Sequence, residues 1–307
     1  KKLRNIIVNT LMPLIDGDYY LLELPYYQNI GDTLIWQGEL DFLKKAPYKC
    51  LGMKSLWTFK FPKIKKNAVI LLQGGGNFGD LYEIHHQFKM KVVEAYPDNK
   101  IIFFPQSVWF EKEENFKSTI EIMSHHKNLY MCARDKVSYE MLKGRSLKNV
   151  LLVPDMAFCI NMRKWDVPDR GGRDLLLKRM DGEFKDSASL KELEKKTDID
   201  ISDWPTMLPV RDKQTKYMLK FRNPQSRRTH FLADYYAYHV YRKHLIKTGV
   251  SFLRAHKMIY TTRLHTAILS VLLDKKVYFF DNSYGKNKNF YDTWLYDCEN
   301  ITMVEND

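Results

Sequence analysis

The chain has 307 residues, 45% apolar and 28% charged, which is enough for one large or two ordinary domains and too apolar for a disordered chain. The formal net charge of +12 favours anionic partners: nucleic acid, an acidic membrane leaflet or phosphorylated substrates. That charge is scattered in short clusters, such as Lys63, Lys65 and Lys66 or Arg222, Arg227 and Arg228, each of which also reads as a solvated face. No stretch approaches the roughly 20 consecutive apolar residues of a membrane span, and the first residues show no signal-peptide pattern. The cysteines, Cys50, Cys132, Cys159 and Cys298, form no CxxC pair and read as free thiols in a reducing compartment. A cytoplasmic protein able to touch a membrane surface is expected.

In chain order, Tyr20–Leu24 reads as a strand. Asp32–Lys45 reads as a helix with Leu34, Ile35, Leu40 and Leu43 on its apolar face. "AVILLQGGG" is a continuous apolar strand running into glycines, the pattern of a strand buried on both faces. "LYEIHHQFKMKVVEAYP" is helical up to Pro97, and "KIIFFPQS" is a strand ending at Pro105. A helix over Phe116–His125, a strand "NLYMCARD", a helix over Lys136–Lys143 and a strand "NVLLVPD" follow. Residues 161–225 are more polar and richer in Pro and Gly, with one strand in "RDLLLKRMD", and mark a hinge and the opening of a second domain. Then come a long helix over Phe231–Leu253, a strand "KMIYTT", a helix over Leu264–Leu273 and a strand "KKVYFFDNS". The tail, Phe290–Val304, adds one helix and a short strand. Such alternation predicts βαβ units on parallel sheets, in two α/β domains, 1–160 and 161–307, with a cleft between them.

Ligands of open α/β sheets sit beyond the carboxyl ends of the strands. There the sequence places "YQNIGDT", "QGGGNFGD", "FPQS", "ARDKVS", "PDMA", "KRMDGE", "TTRLHT" and "DNSYGKN". Gly74, Gly75, Gly76 and Asn77 form a glycine loop in which backbone amides can approach a ligand, or a tight turn. The loop is neither a P-loop nor a clean GxGxxG. Asp32 reads as a helix N-cap or as a carboxylate taking a proton from a hydroxyl. Asp135 reads as an N-cap. Arg134, at a strand end, either pairs with Asp135 or offers its fork to a carboxylate or phosphate.

"TTRLHTAIL" is the sharpest local signal. Arg263 closes a strand, and the amides of Leu264, His265 and Thr266 open a helix, so unpaired N–H groups and the helix dipole favour an anion. An imidazole in general can give or take a proton under mild conditions, so the residue type at His265 is suited to proton transfer. Lys286 and the Gly285 backbone either extend that anion pocket or make a surface turn. Adjacent histidines, His85/His86 and His125/His126, point about 100° apart on a helix, so neither pair chelates one metal. No metal site is expected.

Together "NIGDTLI", "LLQGGGNFGDLY", "IIFFPQS", "ARDKVS", "VPDMAF", "KRMDGE", "TTRLHTAILS" and "DNSYGK", in order from about Asn29 to Lys286, resemble the polysaccharide pyruvyl transferase family. The resemblance implies a GT-B-like fold of two Rossmann-like domains facing each other. It implies transfer of pyruvate from phosphoenolpyruvate to two hydroxyls of a sugar, forming a cyclic ketal in capsule, exopolysaccharide or cell-wall glycan synthesis. Arg134, Arg263 and His265 match donor-site and catalytic positions, with Leu264 offering its backbone N–H. Asp32 is then the candidate base for the acceptor, and Arg179 and Lys286 are helpers. Residues 1–160 become the acceptor side and 161–307 the donor side. Phosphoenolpyruvate is expected as co-substrate without a further cofactor, the acceptor as a sugar that is free or lipid-diphosphate-linked. Peripheral contact with the anionic inner membrane face is expected, and no nucleic acid.

Three rival readings compete with this one. A GT-B glycosyltransferase would share the fold and bind a nucleotide sugar. A Rossmann oxidoreductase is suggested by Gly74–Gly76 alone. A non-catalytic polyanion binder driven by net charge would lose affinity steeply with salt.

Overall fold

The computed structural model describes all residues except 166, 180–186, 209–211, 222–226, 284 and 305–307, and describes residue 227 by its backbone alone. The chain forms two compact units. The first holds residues 1–26, 35–160 and 220–237, the second 27–34, 161–219 and 238–307.

The first part of the chain runs α1 (Lys2–Leu11), β1 (Tyr19–Leu22), α2 (Ile30–Leu43), β2 (Cys50–Lys54), β3 (Val69–Leu72) and β4 (Gly75–Gly79). It continues with α3 (Glu83–Ala95), β5 (Lys100–Trp109), α4 (Glu113–Ser124), β6 (Leu129–Ala133), α5 (Lys136–Lys143) and β7 (Asn149–Leu152). The strands form one parallel sheet in the order β2-β1-β3-β5-β6-β7, with β4 also on β5. All four residues of β3 are buried, as a strand covered on both faces requires. Ile70, Leu72, Ile101, Phe103 and Met131 anchor the core. At about 25 cal/mol per Å² of apolar surface, burial of such residues is the main stabilising term.

Two sequence readings change here. The glycine stretch is a strand, not a turn: Gly75 pairs with Gln106 and Phe78 with Val108. β5 does not end at Pro105 but runs to Trp109. A proline cannot donate to a sheet ladder and is tolerated at irregularities. Pro105 sits at one: the β5–β6 register shifts between Phe103 and Gln106, where β5 also exchanges β3 for β4 as its other neighbour. α1 and β2 carry no signal the periodicity exposed.

The second part runs β8 (Asp174–Leu177), α6 (Ala188–Glu194), β9 (Ile199–Ser202), α7 (Lys213–Lys220), α8 (Arg227–Tyr236), α9 (Arg242–Arg254) and β10 (Ile259–Thr261). α10 (Leu264–Leu272), β11 (Val277–Phe280), α11 (Lys286–Trp294) and β12 (Ile301–Val304) complete it. Its parallel sheet has the order β12-β11-β10-β8-β9. The long helix expected over Phe231–Leu253 is α8 and α9 joined by a π turn at Ala237–Tyr241. Each unit is thus Rossmann-like, and the chain is an α/β protein of GT-B-like composition. All four cysteines are free thiols, with Cys132 and Cys159 buried. Burial pushes the Cys159 thiol up to about 12. Among the described residues no helix is long and apolar enough to cross a membrane.

Candidate functional site

Read from β9, the second sheet is wound 2-1-3-4-5, and its order reverses between β8 and β10. In a doubly wound sheet the crevice for a ligand opens at that switch, beyond the carboxyl ends of the two strands. Arg179 follows β8, and Thr262 and Arg263 follow β10. The Arg179 N–H donates to Thr262 Oγ1 at 2.9 Å. Asn287, buried in the first turn of α11, donates through Nδ2 to the carbonyls of Thr262 and Phe280, both at 2.8 Å. It thereby ties the ends of β10 and β11 together.

Arg263 is the N-cap residue of α10 and donates its own N–H to Thr261 Oγ1 at 3.0 Å. Its guanidinium Nε and Nη2 donate to Asp203 Oδ1 and Oδ2, each at 2.5 Å, and both side chains are buried. A bidentate arginine–carboxylate pair fixes the guanidinium plane. Asp203 also accepts from the Trp204 N–H at 2.7 Å. Sequence reasoning missed Asp203, which lies in the polar segment before α7; its only local signal is "SDW" at a strand end.

His265 stands in the first turn of α10 and is half-buried. Its neighbour across space is the start of α2. A Cβ at Gly31 would lie 2.8 Å from His265 Nδ1 and 3.1 Å from Asn29 Oδ1, so only glycine leaves room for the imidazole. Asn29 Oδ1 accepts from the Gly31 N–H at 2.9 Å and caps α2. Asp32 is therefore not the cap but a first-turn residue. Its Oδ2 accepts from Tyr27 Oη at 3.0 Å and from Asn29 Nδ2 at 2.9 Å. Thr206 Oγ1 donates to the Gln28 carbonyl at 2.6 Å and holds this turn in place. The structure thus brings together His265, Arg263 and Asp32 with three groups the sequence did not single out, Tyr27, Asn29 and Asp203. Leu264, between Arg263 and His265, is buried and opens the helix. Lys286 is the first residue of α11, after Gly285 at φ 80°, and donates its N–H to Asn282 Oδ1 at 2.8 Å. The motif "KRMDGE" falls on residues 178–183, of which 180–183 lie outside the described residues.

The first unit has its own reversal, between β1 and β3. There Glu23, with φ 71°, holds a left-handed backbone that costs a non-glycine residue about 1–2 kcal/mol. Its Oε1 accepts from Lys89 Nζ at 2.6 Å and pairs with His85 Nδ1 at 2.8 Å, all three side chains buried. His86 turns instead to Thr119 Oγ1 at 2.9 Å, so the adjacent histidines serve different partners. Gly74 donates its N–H to Glu39 Oε1 at 2.9 Å, and a Cβ there would lie 2.8 Å from the Pro105 carbonyl oxygen. Gly75 and Gly76 continue into β4, and the Asn77 carbonyl accepts from Lys89 Nζ at 3.3 Å. Arg134 is buried, with Nη1 on Asp155 Oδ2 at 2.7 Å and Nε on Ser107 Oγ at 2.9 Å. Its carboxylate partner is thus Asp155 rather than Asp135. Asp135 caps α5 by accepting the Ser138 N–H at 2.8 Å. The two arginines lie in different units, each held by an aspartate of its own unit.

Burial holds the Glu39 carboxyl well above its ordinary value of 4.5, against the pull of the Gly74 N–H, and nearby Asp155 and Glu23 raise it further. The folded chain therefore binds this proton more tightly than the unfolded chain does. Stability falls as pH rises above the unfolded value. Glu39→Gln is expected to raise the melting temperature by an amount that grows from pH 5 towards pH 8. A gain independent of pH would show that this carboxyl ionises as readily in the fold as outside it.

Groups of these kinds serve in general to bind an anion at a helix start, to give a proton from an imidazole and to take one up on a carboxylate. The family described as "Polysaccharide pyruvyl transferase" matches residues 29–284. The chain is 32% identical over 298 residues to "Putative pyruvyl transferase EpsO" of Bacillus subtilis (strain 168), covering 95% of this chain and 88% of that one. It is 26% identical to "Pyruvyl transferase 1" of Schizosaccharomyces pombe, over 91% of this chain and 70% of that one. A crystal structure of a functionally uncharacterised Klebsiella pneumoniae protein superposes with a TM-score of 0.68 at 18% identity over 99% of both chains, a likeness of fold. The family match begins at Asn29, the cap of the turn that carries Gly31 and Asp32, and runs through Arg263 and His265. By that match and its near full-length relatives, the chain belongs to the polysaccharide pyruvyl transferase family.

Proposed function

We propose that the chain transfers pyruvate from phosphoenolpyruvate to two hydroxyls of a sugar, forming a cyclic ketal and releasing phosphate. The observation that carries this reading is the grouping, within one unit, of a helix start headed by Arg263 and His265 with the held carboxylate of Asp32. Phosphoenolpyruvate is a small anion with a carboxylate and a phosphate. Arg263, the Leu264 and His265 amides, Arg179 and Lys286 are positive or donor groups around the ends of β8, β10 and β11. His265 protonates C3 of the enol, which becomes a methyl group, and C2 becomes electrophilic. One sugar hydroxyl adds at C2 and gives its proton to Asp32. The bond from C2 to the phosphate oxygen breaks, and Arg263 stabilises the departing charge. The second hydroxyl adds at C2 and closes the ketal, and its proton passes to the His265 imidazole that gave one up at C3.

With this reading go a cytoplasmic location, no further cofactor, and a role in capsule, exopolysaccharide or cell-wall glycan synthesis on an acceptor that is free or carried on a lipid diphosphate. Calorimetric titration with phosphoenolpyruvate is expected to show saturable binding, with UDP and GDP giving none. Binding of a nucleoside diphosphate in place of phosphoenolpyruvate would overturn the reading in favour of a glycosyltransferase that uses a nucleotide sugar.

A further inference from the structure

The positive charge is less evenly spread than its short clusters suggest. Residues 213–247 hold nine Lys and Arg against one Asp, a net +8 out of the chain's +12. This stretch lies outside the motifs that carry the family resemblance, apart from being spanned by the family match. α8 lies within it and presents an unusual outer face. Phe231 is 66% exposed, Tyr235 54% and Leu232 43%, at helical spacings that place them side by side. The Phe231 and Tyr235 rings stack, with centroids 6.4 Å apart. The inner face, His230, Ala233 and Ala237, is buried and small enough to seat the helix closely. Exposed Arg228 lies one turn before Phe231, and exposed Lys220 ends the preceding helix.

The one acid of the stretch is taken out of play. Asp234 Oδ1 accepts from Tyr26 Oη at 2.9 Å and Thr58 Oγ1 at 2.7 Å, and Oδ2 pairs with Lys54. These contacts lie within the first unit and fasten α8 to the ends of β1 and β2. They leave Phe231, Leu232 and Tyr235 exposed on the outer face, with the exposed Arg228 one turn before Phe231. A helix that exposes Phe, Leu and Tyr while its polar neighbours are Arg and Lys has the composition of an interfacial helix. Basic residues are drawn to an anionic leaflet, and the aromatic rings gain by leaving water for the acyl boundary.

We propose that the outer face of α8, with Phe231, Leu232 and Tyr235 as its inserting side chains and Arg228 as its charged flank, docks the protein on an anionic lipid bilayer. The proposal does not depend on the transferase reading, because lipid binding needs neither donor nor acceptor. A nucleic acid or acidic glycan would satisfy the charge but not the exposed Phe231 and Leu232.

The test is flotation of the full chain with vesicles of phosphatidylcholine alone or of phosphatidylcholine with phosphatidylglycerol. Wild type is compared with Phe231→Ser/Tyr235→Ser, and circular dichroism and melting temperature serve as fold controls. Wild type is expected to bind the phosphatidylglycerol vesicles, and the double variant to bind them at least about tenfold more weakly with its melting temperature unchanged. Equal binding of the two proteins would overturn the proposal. So would binding abolished by soluble heparin but indifferent to the two substitutions, which would mark a polyanion surface. A wild-type dimer that the same substitutions dissociate, with no vesicle binding, would assign the face to a second copy of the chain.

Discussion

Replacing His265 by alanine is expected to lower kcat about 10²–10⁴-fold, the usual contribution of a positioned general acid, with KM for phosphoenolpyruvate little changed and the fold intact. The imidazole is half-buried in the first turn of α10, and alanine is the better helix former there, so the helix has no reason to melt. The split between kcat and KM separates two roles. A histidine that only helped to hold the donor anion would raise KM and leave kcat near normal. Near-normal turnover in the variant would remove His265 from the mechanism. Gly31→Ala gives the same question a second handle, because its Cβ would meet His265 Nδ1 at 2.8 Å and Asn29 Oδ1 at 3.1 Å. A displaced but intact imidazole should lose kcat in the same direction, by less than its removal does.

Arg263 and His265 were legible in the sequence because a strand end, a helix start and the two side chains are all encoded within a few residues. The alternation of apolar runs likewise exposed most of the helices and the central strands. The partners of these residues were not legible, since they come from elsewhere in the chain. Asp203 sits 60 positions before Arg263, and nothing in "ISDW" says which cation it will face. Tyr27 and Asn29 are near Asp32 in sequence, but a capping turn can form without both side chains donating to that carboxylate. Asp155 was visible at a strand end, yet adjacency favoured Asp135 as the partner of Arg134. Asp135 is drawn away by the N–H groups of its own helix, a stronger local demand. Glu39 lies inside a helix that reads as amphipathic from its leucines, and only the approach of Gly74 shows that its carboxyl is buried. The glycines read as a turn because glycine permits one. They form a strand because Pro105 breaks the regular β5 ladder and leaves Gln106 and Val108 to pair with Gly75 and Phe78.

Asp203→Ala is expected to destabilise the protein by about 3–5 kcal/mol, the cost of leaving a buried charge without its partner. Arg263 is 5% exposed and Asp203 3%, so water cannot replace the lost carboxylate without opening the structure. The pair itself need not be a net stabiliser, because taking two charges out of water costs much of what their attraction returns. That distinction is measurable. Asp203→Ala combined with Arg263→Met should recover most of the lost stability in urea unfolding, because the double variant buries no charge. If the double variant is as unstable as Asp203→Ala alone, the loss comes from the Trp204 N–H, which also depends on Asp203. The double variant lacks the arginine and cannot report on its role, whereas Asp203→Asn keeps Arg263 and the size of its partner but removes the charge and one of the two acceptor oxygens. With its plane no longer fixed by two charged bonds, the guanidinium of Arg263 should bind phosphoenolpyruvate about tenfold more weakly, one charge-assisted hydrogen bond's worth of orientation. Tighter binding in Asp203→Asn would mean the reverse: Asp203 competes with the donor for the arginine, and the pair must open before phosphoenolpyruvate can enter.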